Sequence, residues 1–438
     1  MELQTAKFRL IAKFRFLIII LLLFFGSIFT SYSLSANNPI DTVGSEFENV
    51  VDFFSHQKNH IPGSSINQGI KTIYVAFNIW SRDDGSGNLK ESDFLYDRIN
   101  YIISHMNMLF DNVLPPSHPI PGIEYLTESN IRFKVKSIDF YQSSELYDAT
   151  CGSGSRLNNF VFDKHPHKRR YLNLHLTGGS CRGASGFANY PSRSNMEQNS
   201  YVVTFVRNEG KDPENYGYWQ YLKHLIHEIG HNLELHHPYG SEICRFSHDD
   251  FLFDLFGFEK QEFCEKTPSN CDVCYHDGGF GCDLTDPEKS CTNNIMGGNK
   301  SNRNITPLQM GRMHRSLMMR SVRKYAWGFS DTPYEVKNNE VWDFNVKFFQ
   351  DIVIRSGNIL LIKNTLEMVP EARIIIEPGA RLIIDGGLIT NALYSDDFWQ
   401  GIVIEEPPGR GIAFWRPKPV AGSLELVNDG VINNYVKF

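Results

Sequence analysis

The sequence predicts two folded parts, an α+β domain with a mixed sheet over residues 71–327 and a short all-β domain over residues 337–438. Two observations lead there. Before residue 234 the apolar pattern runs strand, helix, three strands and a second helix, the order of an α+β domain. Beyond residue 337 the helical period disappears, and short apolar strands recur between Gly and Asn turns. The composition suits a globular chain: 41% hydrophobic and 21% charged residues exclude a disordered tail, a collagen and a multi-span membrane protein. Forty-three Lys and Arg against 50 Asp and Glu leave a formal charge of −7, which gives no basic footprint for nucleic acid.

Residues 1–36 read as a signal peptide. Lys7, Arg9, Lys13 and Arg15 precede ten unbroken apolar residues, Phe16 to Phe25, then Gly26 and small residues to about Ser35. An apolar run this short falls below a bilayer span, so the expectation is cleavage, a secreted or extracellular protein and no membrane contact afterwards. Residues 37–70 lack periodicity and read as a linker or short pro-segment.

The α+β elements follow in order. Residues 72–80, TIYVAFNIW, form a buried strand. Ser92 caps a helix whose Leu95, Ile99, Ile102, Ile103, Met106, Leu109 and Phe110 recur at three- and four-residue steps. Pro115 and Pro116 stop it. Ile131, Phe133 and Val135 alternate as a strand, Leu172, Leu174 and Leu176 as another, and Tyr201 to Val206 is a third. Leu222, Leu225, Ile226, Ile229 and Leu233 mark one face of the second helix. A further helix starts at Thr306-Pro307-Leu308-Gln309, a capping box with Pro in the first turn, and runs to about Arg320.

In the second part, residues 352–365 are echoed by 374–387, and residues 380–391 by 422–434, 22 and about 42 positions later. Coils of about 20–22 residues predict a β-solenoid. A small β-sandwich also fits alternating strands taken alone. A solenoid with no obvious cap would lean on the first domain, associate with itself or be truncated, and its role would be carbohydrate contact, surface attachment or assembly.

Eight cysteines, Cys151, Cys181, Cys244, Cys264, Cys271, Cys274, Cys282 and Cys291, are an even number in an exported chain and are disulfide candidates. Six fall within 244–291, a stapled loop-rich segment; a zinc site on Cys271, Cys274, Cys282 and Cys291 is the alternative. Asp272, Asp277, Asp283 and Asp286 in the same stretch could hold Ca2+ or form a solvated acidic loop. No Cys precedes Cys151, which argues against latency through a cysteine-bearing pro-segment.

The chemistry is carried by HEIGHNLELHH, His227 to His237. His227 and His231 are four apart on a helix and leave the same face, within reach of one Zn2+. Glu228 stands beside the first of them, where a carboxylate can take a proton from water. His237 completes three ligands if the chain turns sharply after Leu233. His224 and His236 have no spacing argument and read as structural.

The motif resembles the metzincin zinc peptidases of the pappalysin and cytophagalysin type. The resemblance extends to NNIMGG, with Met296 as the Met-turn methionine, to GASGFANYP at 183–191, to the cysteine-rich insert and to the helix TPLQMGRM, about residues 70–325 in all. It implies an endopeptidase with a polypeptide substrate, His227, His231 and His237 as zinc ligands and Glu228 as general base. It also implies an edge strand, Ser185, Gly186, Phe187, Ala188 and Asn189, that pairs with extended substrate. Met296 would lie beneath the metal as an apolar floor. Two positions depart from the family pattern. Glu234 stands where the family has the Gly of a positive-φ turn, and Gly298 stands where many members have an oxyanion-stabilising Tyr. Two rival readings remain: a gluzincin-type site with Glu259 or Glu262 as third ligand, and an adhesion or structural protein working through the β domain.

Overall fold

In the computed structural model the chain divides into two units, Met1–Glu48 and Asn49–Phe438. The residues described are 47–116, 119–181, 184–206, 218–237 (side chains from 224), 252, 254, 293–296, 303–395, 397–407 and 420–436. The signal segment, the six cysteines of 244–291, the four candidate Ca2+ carboxylates, Glu259, Glu262 and Gly298 lie outside them. The second unit carries the sheets and helices that build the site.

A mixed sheet organises the first part. Strand β1 (Lys71–Ser81) is central and mostly buried, as its largely apolar run requires; the Asn78 within it donates to Asn173 Oδ1 at 3.0 Å. It pairs in parallel with β2 (Ile131–Gln142) on one side and β3 (Leu172–Thr177) on the other. β3 pairs in parallel with β5 (Tyr201–Phe205), and β4 (Gly186–Ala188) closes the order antiparallel to β5. β4 is therefore an edge strand. Helix α2 (Asp93–Asp111) runs between β1 and β2. Ser92 caps it by accepting from Leu95 N, and all seven residues of its sequence stripe are buried. Phe110 meets Phe133 of β2 edge-on at 5.0 Å.

Two more helices place the site. Helix α4 (Tyr218–Asn232) buries Leu225, Ile226 and Ile229. Helix α5 (Pro307–Met319) starts with the expected capping box: Thr306 accepts from Gln309 N, and the Gln309 side chain accepts from Thr306 N. Every residue of α5 is buried, Arg312 and Arg315 included. That is unusual for a helix with so many polar residues, and it comes from cover on all sides.

Part of that cover comes from residues 49–70. Helix α1 (Val51–Ser55) turns Phe54 inward. Its ring is fully buried against Trp342, Phe344, Phe348 and Tyr334, at centroid distances of 5.2, 5.1, 6.0 and 5.7 Å. Arg315 donates to the carbonyl of Ser55, which fastens this segment to α5.

The second part consists of parallel strands stacked at regular steps. Ile352 pairs with Ile374 and Ile374 with Ile402; Leu360 pairs with Leu382, and Leu366 with Ile389. Parallel pairing is the opposite of what a hairpin-built sandwich requires. The echo of about 42 positions is a single step: Arg381–Asp385 pairs directly with Ser423–Val427, with the intervening chain lengthening that turn. Ion pairs repeat outside the stack, Arg373 with Asp351 at 2.9 Å and Arg381 with Glu425 at 2.8 Å.

The two parts share one apolar core, in which Ile73 and Ile102 belong to the same cluster as Ile352 and Leu382. At the join, buried Arg323 pairs with Glu367 at 2.6 Å, and Lys347 donates to the carbonyl of Ala326 at 2.6 Å.

Buried imidazoles make the fold acid-sensitive. His175 lies in the core between β1 and α3 (Gly154–Lys164), accepting from Trp80 Nε1 at Nδ1 (3.2 Å) and meeting Asn158 Oδ1 at Nε2 (2.9 Å). Burial pushes it down to about 3, and His60, which meets the Phe54 carbonyl, likewise to about 3. Both values lie below the unfolded value near 6.5, so the native state holds fewer protons and stability is lost as pH falls from about 6.5 towards 3. Denaturant midpoints of the wild type should drop across pH 6.5 to 4. In His175→Gln the fall should be shallower by about 1.4 kcal/mol per pH unit. Identical slopes for the two chains would refute this.

Candidate metal centre

The three imidazoles meet. His227 Nε2 lies 2.8 Å from His237 Nε2, and His231 Nε2 lies 3.1 Å from it. His227 and His231 come from successive turns of α4. His237 returns because the chain reverses immediately after the helix. Leu235 N donates to Gly230 O at 2.9 Å and Glu234 N to His231 O at 3.0 Å, which ends the helix in a tight turn with residue 234 at φ 72°. The turn that the sequence places at the family's Gly is therefore made by a Glu.

The outer ring nitrogens are fixed by carbonyls. His227 Nδ1 meets Ile295 O at 3.2 Å, and His231 Nδ1 meets Leu235 O at 2.8 Å. A carbonyl accepts only from N–H, so Nδ1 carries the proton on both rings and Nε2 offers a lone pair. Lone pairs aimed at one point repel unless a cation lies between them. This donor set fits zinc, which favours imidazole nitrogen and is commonly held through histidines oriented by such outer contacts. The ligand atoms all lie within 4.8 Å of one another, and among the described residues this is the one such cluster of His, Cys, Asp and Glu. Burial, and then the neighbouring imidazoles, hold His227 well below its usual range; burial pushes His237 down to about 4. Both rings are neutral at pH 7, as ligation requires.

Met296 packs against the helix that carries His227 and His231. It is fully buried, its N–H donates to Asn294 Oδ1 at 3.0 Å, and its sulfur packs against α4 at Gly230. A β-carbon on Gly230 would stand 2.4 Å from that sulfur, so this close approach needs glycine. Asn294 is in turn held by Gln309 of α5 at 2.7 Å.

Glu228 is buried, and burial pushes it up to about 8; a cation held by the three histidines would act in the opposite direction. Its carboxylate faces the edge strand, with Oε1 3.3 Å from where a β-carbon on Gly186 would be. Of the five edge-strand residues expected, Gly186 to Ala188 are strand. Ser185 accepts from Phe205 N at 2.9 Å, and Asn189 Oδ1 accepts from Tyr201 N at 2.9 Å. Cys151 and Cys181 form a disulfide, with Cα atoms 4.9 Å apart.

Three features were not foreseen from the sequence. Asn232, at the end of α4, donates to Asn189 O at 2.6 Å and ties the metal-bearing helix to the edge strand. Tyr190 stacks on His236 at 4.6 Å, so His236 is packed beside the site. Glu234 is buried among three arginines.

A cation cradle on a helix beside an open sheet edge is the working arrangement of metallopeptidases, and the comparison with known families agrees. Residues 155–318 match the family model described as Pregnancy-associated plasma protein-A. This segment is a metzincin-type metallopeptidase domain of the pappalysin type, and the chain is a metalloendopeptidase. Among solved structures, mature mirolysin of Tannerella forsythia in complex with a cleaved peptide is 17% identical over 59% of this chain and 96% of that one, with a TM-score of 0.37. Mirolysin in complex with compound 9 is 15% identical over the same shares, with a TM-score of 0.35. No curated protein matches.

Proposed function

We propose that this chain is an exported zinc endopeptidase in which Glu228 is the general base and residues 185–189 align the substrate. One observation carries the reading: the Glu228 carboxylate packs against Gly186 of the edge strand, on the same helix that brings His227 and His231 to the three-histidine cradle. A peptide pairing antiparallel with β4 would pass its backbone directly over that carboxylate. His227, His231 and His237 would hold the zinc. When bound, it supplies Lewis acidity that polarises a carbonyl and makes water a nucleophile near neutral pH.

The residues of the chain do the rest. The Ile295 and Leu235 carbonyls hold the first two rings in register. Glu228 accepts the proton of the attacking water and returns it to the leaving amine. Asn232 keeps helix and edge strand at a fixed separation, so the scissile carbonyl and the base meet in one geometry.

Export is supported by the basic lead and apolar run before residue 36 and by the Cys151–Cys181 disulfide, a bond of oxidising compartments. Among the described residues no helix is long and apolar enough to cross a membrane. The parallel stacks after residue 330, stepping by 22 residues where turns are short, support a β-solenoid reading of that part.

Purified protein assayed on casein should be inactivated by a chelator such as 1,10-phenanthroline and restored by added zinc, with about one zinc per chain by elemental analysis. Hydrolysis that survives complete metal removal would refute the proposal.

A further inference from the structure

We infer that Glu234 is a positioning residue for the third metal ligand, holding the reversal that delivers His237 by a buried carboxylate clamped between three arginines. The inference rests on the zinc-peptidase reading and deepens it.

The backbone supplies the first reason. Residue 234 sits at φ 72°, a conformation that disfavours a side chain and that glycine adopts freely. A Glu there works against the turn unless its side chain gains something elsewhere.

The side chain supplies the second. Glu234 is buried, and its Oε2 accepts from Arg315 Nη2 at 3.0 Å and Arg320 Nε at 3.2 Å. Its Oε1 accepts from Arg193 Nη2 at 3.3 Å and again from Arg320 Nε at 3.2 Å. Burial by itself would raise this carboxyl; the Arg315 and Arg320 guanidiniums outweigh it and hold it below the usual carboxylate range.

The third reason is where the arginines come from. Arg315 belongs to α5, which also braces the Met-turn through Gln309 and Asn294. Arg320 follows directly after α5. Arg193 comes from the loop that follows the edge strand. One carboxylate thus joins the floor of the site, the substrate edge and the turn between His231 and His237. Cut that link and the turn keeps its backbone bonds, the Leu235 carbonyl on His231 and the stacking of His236 on Tyr190, but loses its tie to α5 and to the loop after the edge strand, and the His237 ring is held less firmly.

The test compares wild type, Glu234→Gln, Glu234→Asp, Glu234→Gly and His237→Ala as full chains. Zinc affinity is read by competition with a chromogenic chelator, ligand geometry from the visible spectrum of the cobalt-loaded protein, and folding by thermal unfolding. Glu234→Gln keeps size and shape and loses the charge. It should bind zinc about 10- to 100-fold more weakly, the usual effect of losing an outer contact of a metal site. Its cobalt spectrum should shift, and kcat at saturating zinc should fall with KM within about twofold. Glu234→Asp should recover part of the affinity. Glu234→Gly, free at this φ but without the clamp, should fold and still bind weakly. Folded Glu234→Gln with wild-type affinity and spectrum would overturn the inference. So would Glu234→Gln and Glu234→Gly chains that both fail to fold, because the carboxylate would then hold the fold and not the ligand. If the wild type binds no zinc, the zinc-peptidase reading itself falls; if His237→Ala binds it equally well, the three-histidine site falls, and in either case this inference falls with it.

Discussion

Glu228→Gln should retain zinc and lose turnover by about three orders of magnitude or more, because general acid–base catalysis by one placed group contributes about 10²- to 10⁴-fold. The carboxamide has nearly the shape of the carboxylate, so the packing beside Gly186 is kept, and the histidines with their Ile295 and Leu235 contacts are untouched. What disappears is a group that can accept a proton. Paired measurements decide it: zinc content near that of the wild type, and kcat on a fluorogenic peptide reduced with KM little changed. A variant within tenfold of wild-type turnover would remove Glu228 from the mechanism. A working role confined to the β part, with the peptidase half as scaffold, predicts no loss of function at all.

His237→Ala tests the other half of the site. Its ring is only partly buried and lies on a turn beyond the helix, so truncation should leave the fold intact. If it is a ligand, losing one of three imidazoles should weaken zinc by at least about two orders of magnitude, roughly 3 kcal/mol, with activity at trace zinc falling in step. A site completed by Glu259 or Glu262 would keep its metal in this variant. The 2.8 and 3.1 Å approaches of His237 to the other two rings favour loss.

Much of the site was legible because its information is local. Four-residue spacing puts His227 and His231 on one face, and the His237 reversal needs only the residues between. The α2 stripe and the Thr306 box are likewise short-range patterns, and both are present. The pairing of Glu234 was not legible. Its partners lie 41, 81 and 86 residues away, and a contact at such range leaves no period and no motif. From the sequence Glu234 reads as a departure from a glycine; only the fold gives its charge a destination. Phe54 is a similar case. Its neighbours in sequence, Val50, Val51 and Phe53 among polar residues, follow no period that singles it out, and its burial is decided by aromatic rings contributed from beyond residue 330. The 42-residue echo is one step of the stack: a repeat length counts residues, and here residues 381–385 pair directly with 423–427 across a longer stretch of chain.

The placement of Phe54 bears on how the molecule comes into being. Asn49, at the head of that segment, bonds Asp343, 294 residues further along the chain. A polypeptide emerging from its amino end therefore carries this aromatic side chain without its pocket until most of the molecule has been made. This early stretch of the chain is thus among the last to find its place. The peptidase half reaches its final shape only when strands from the other half close over it.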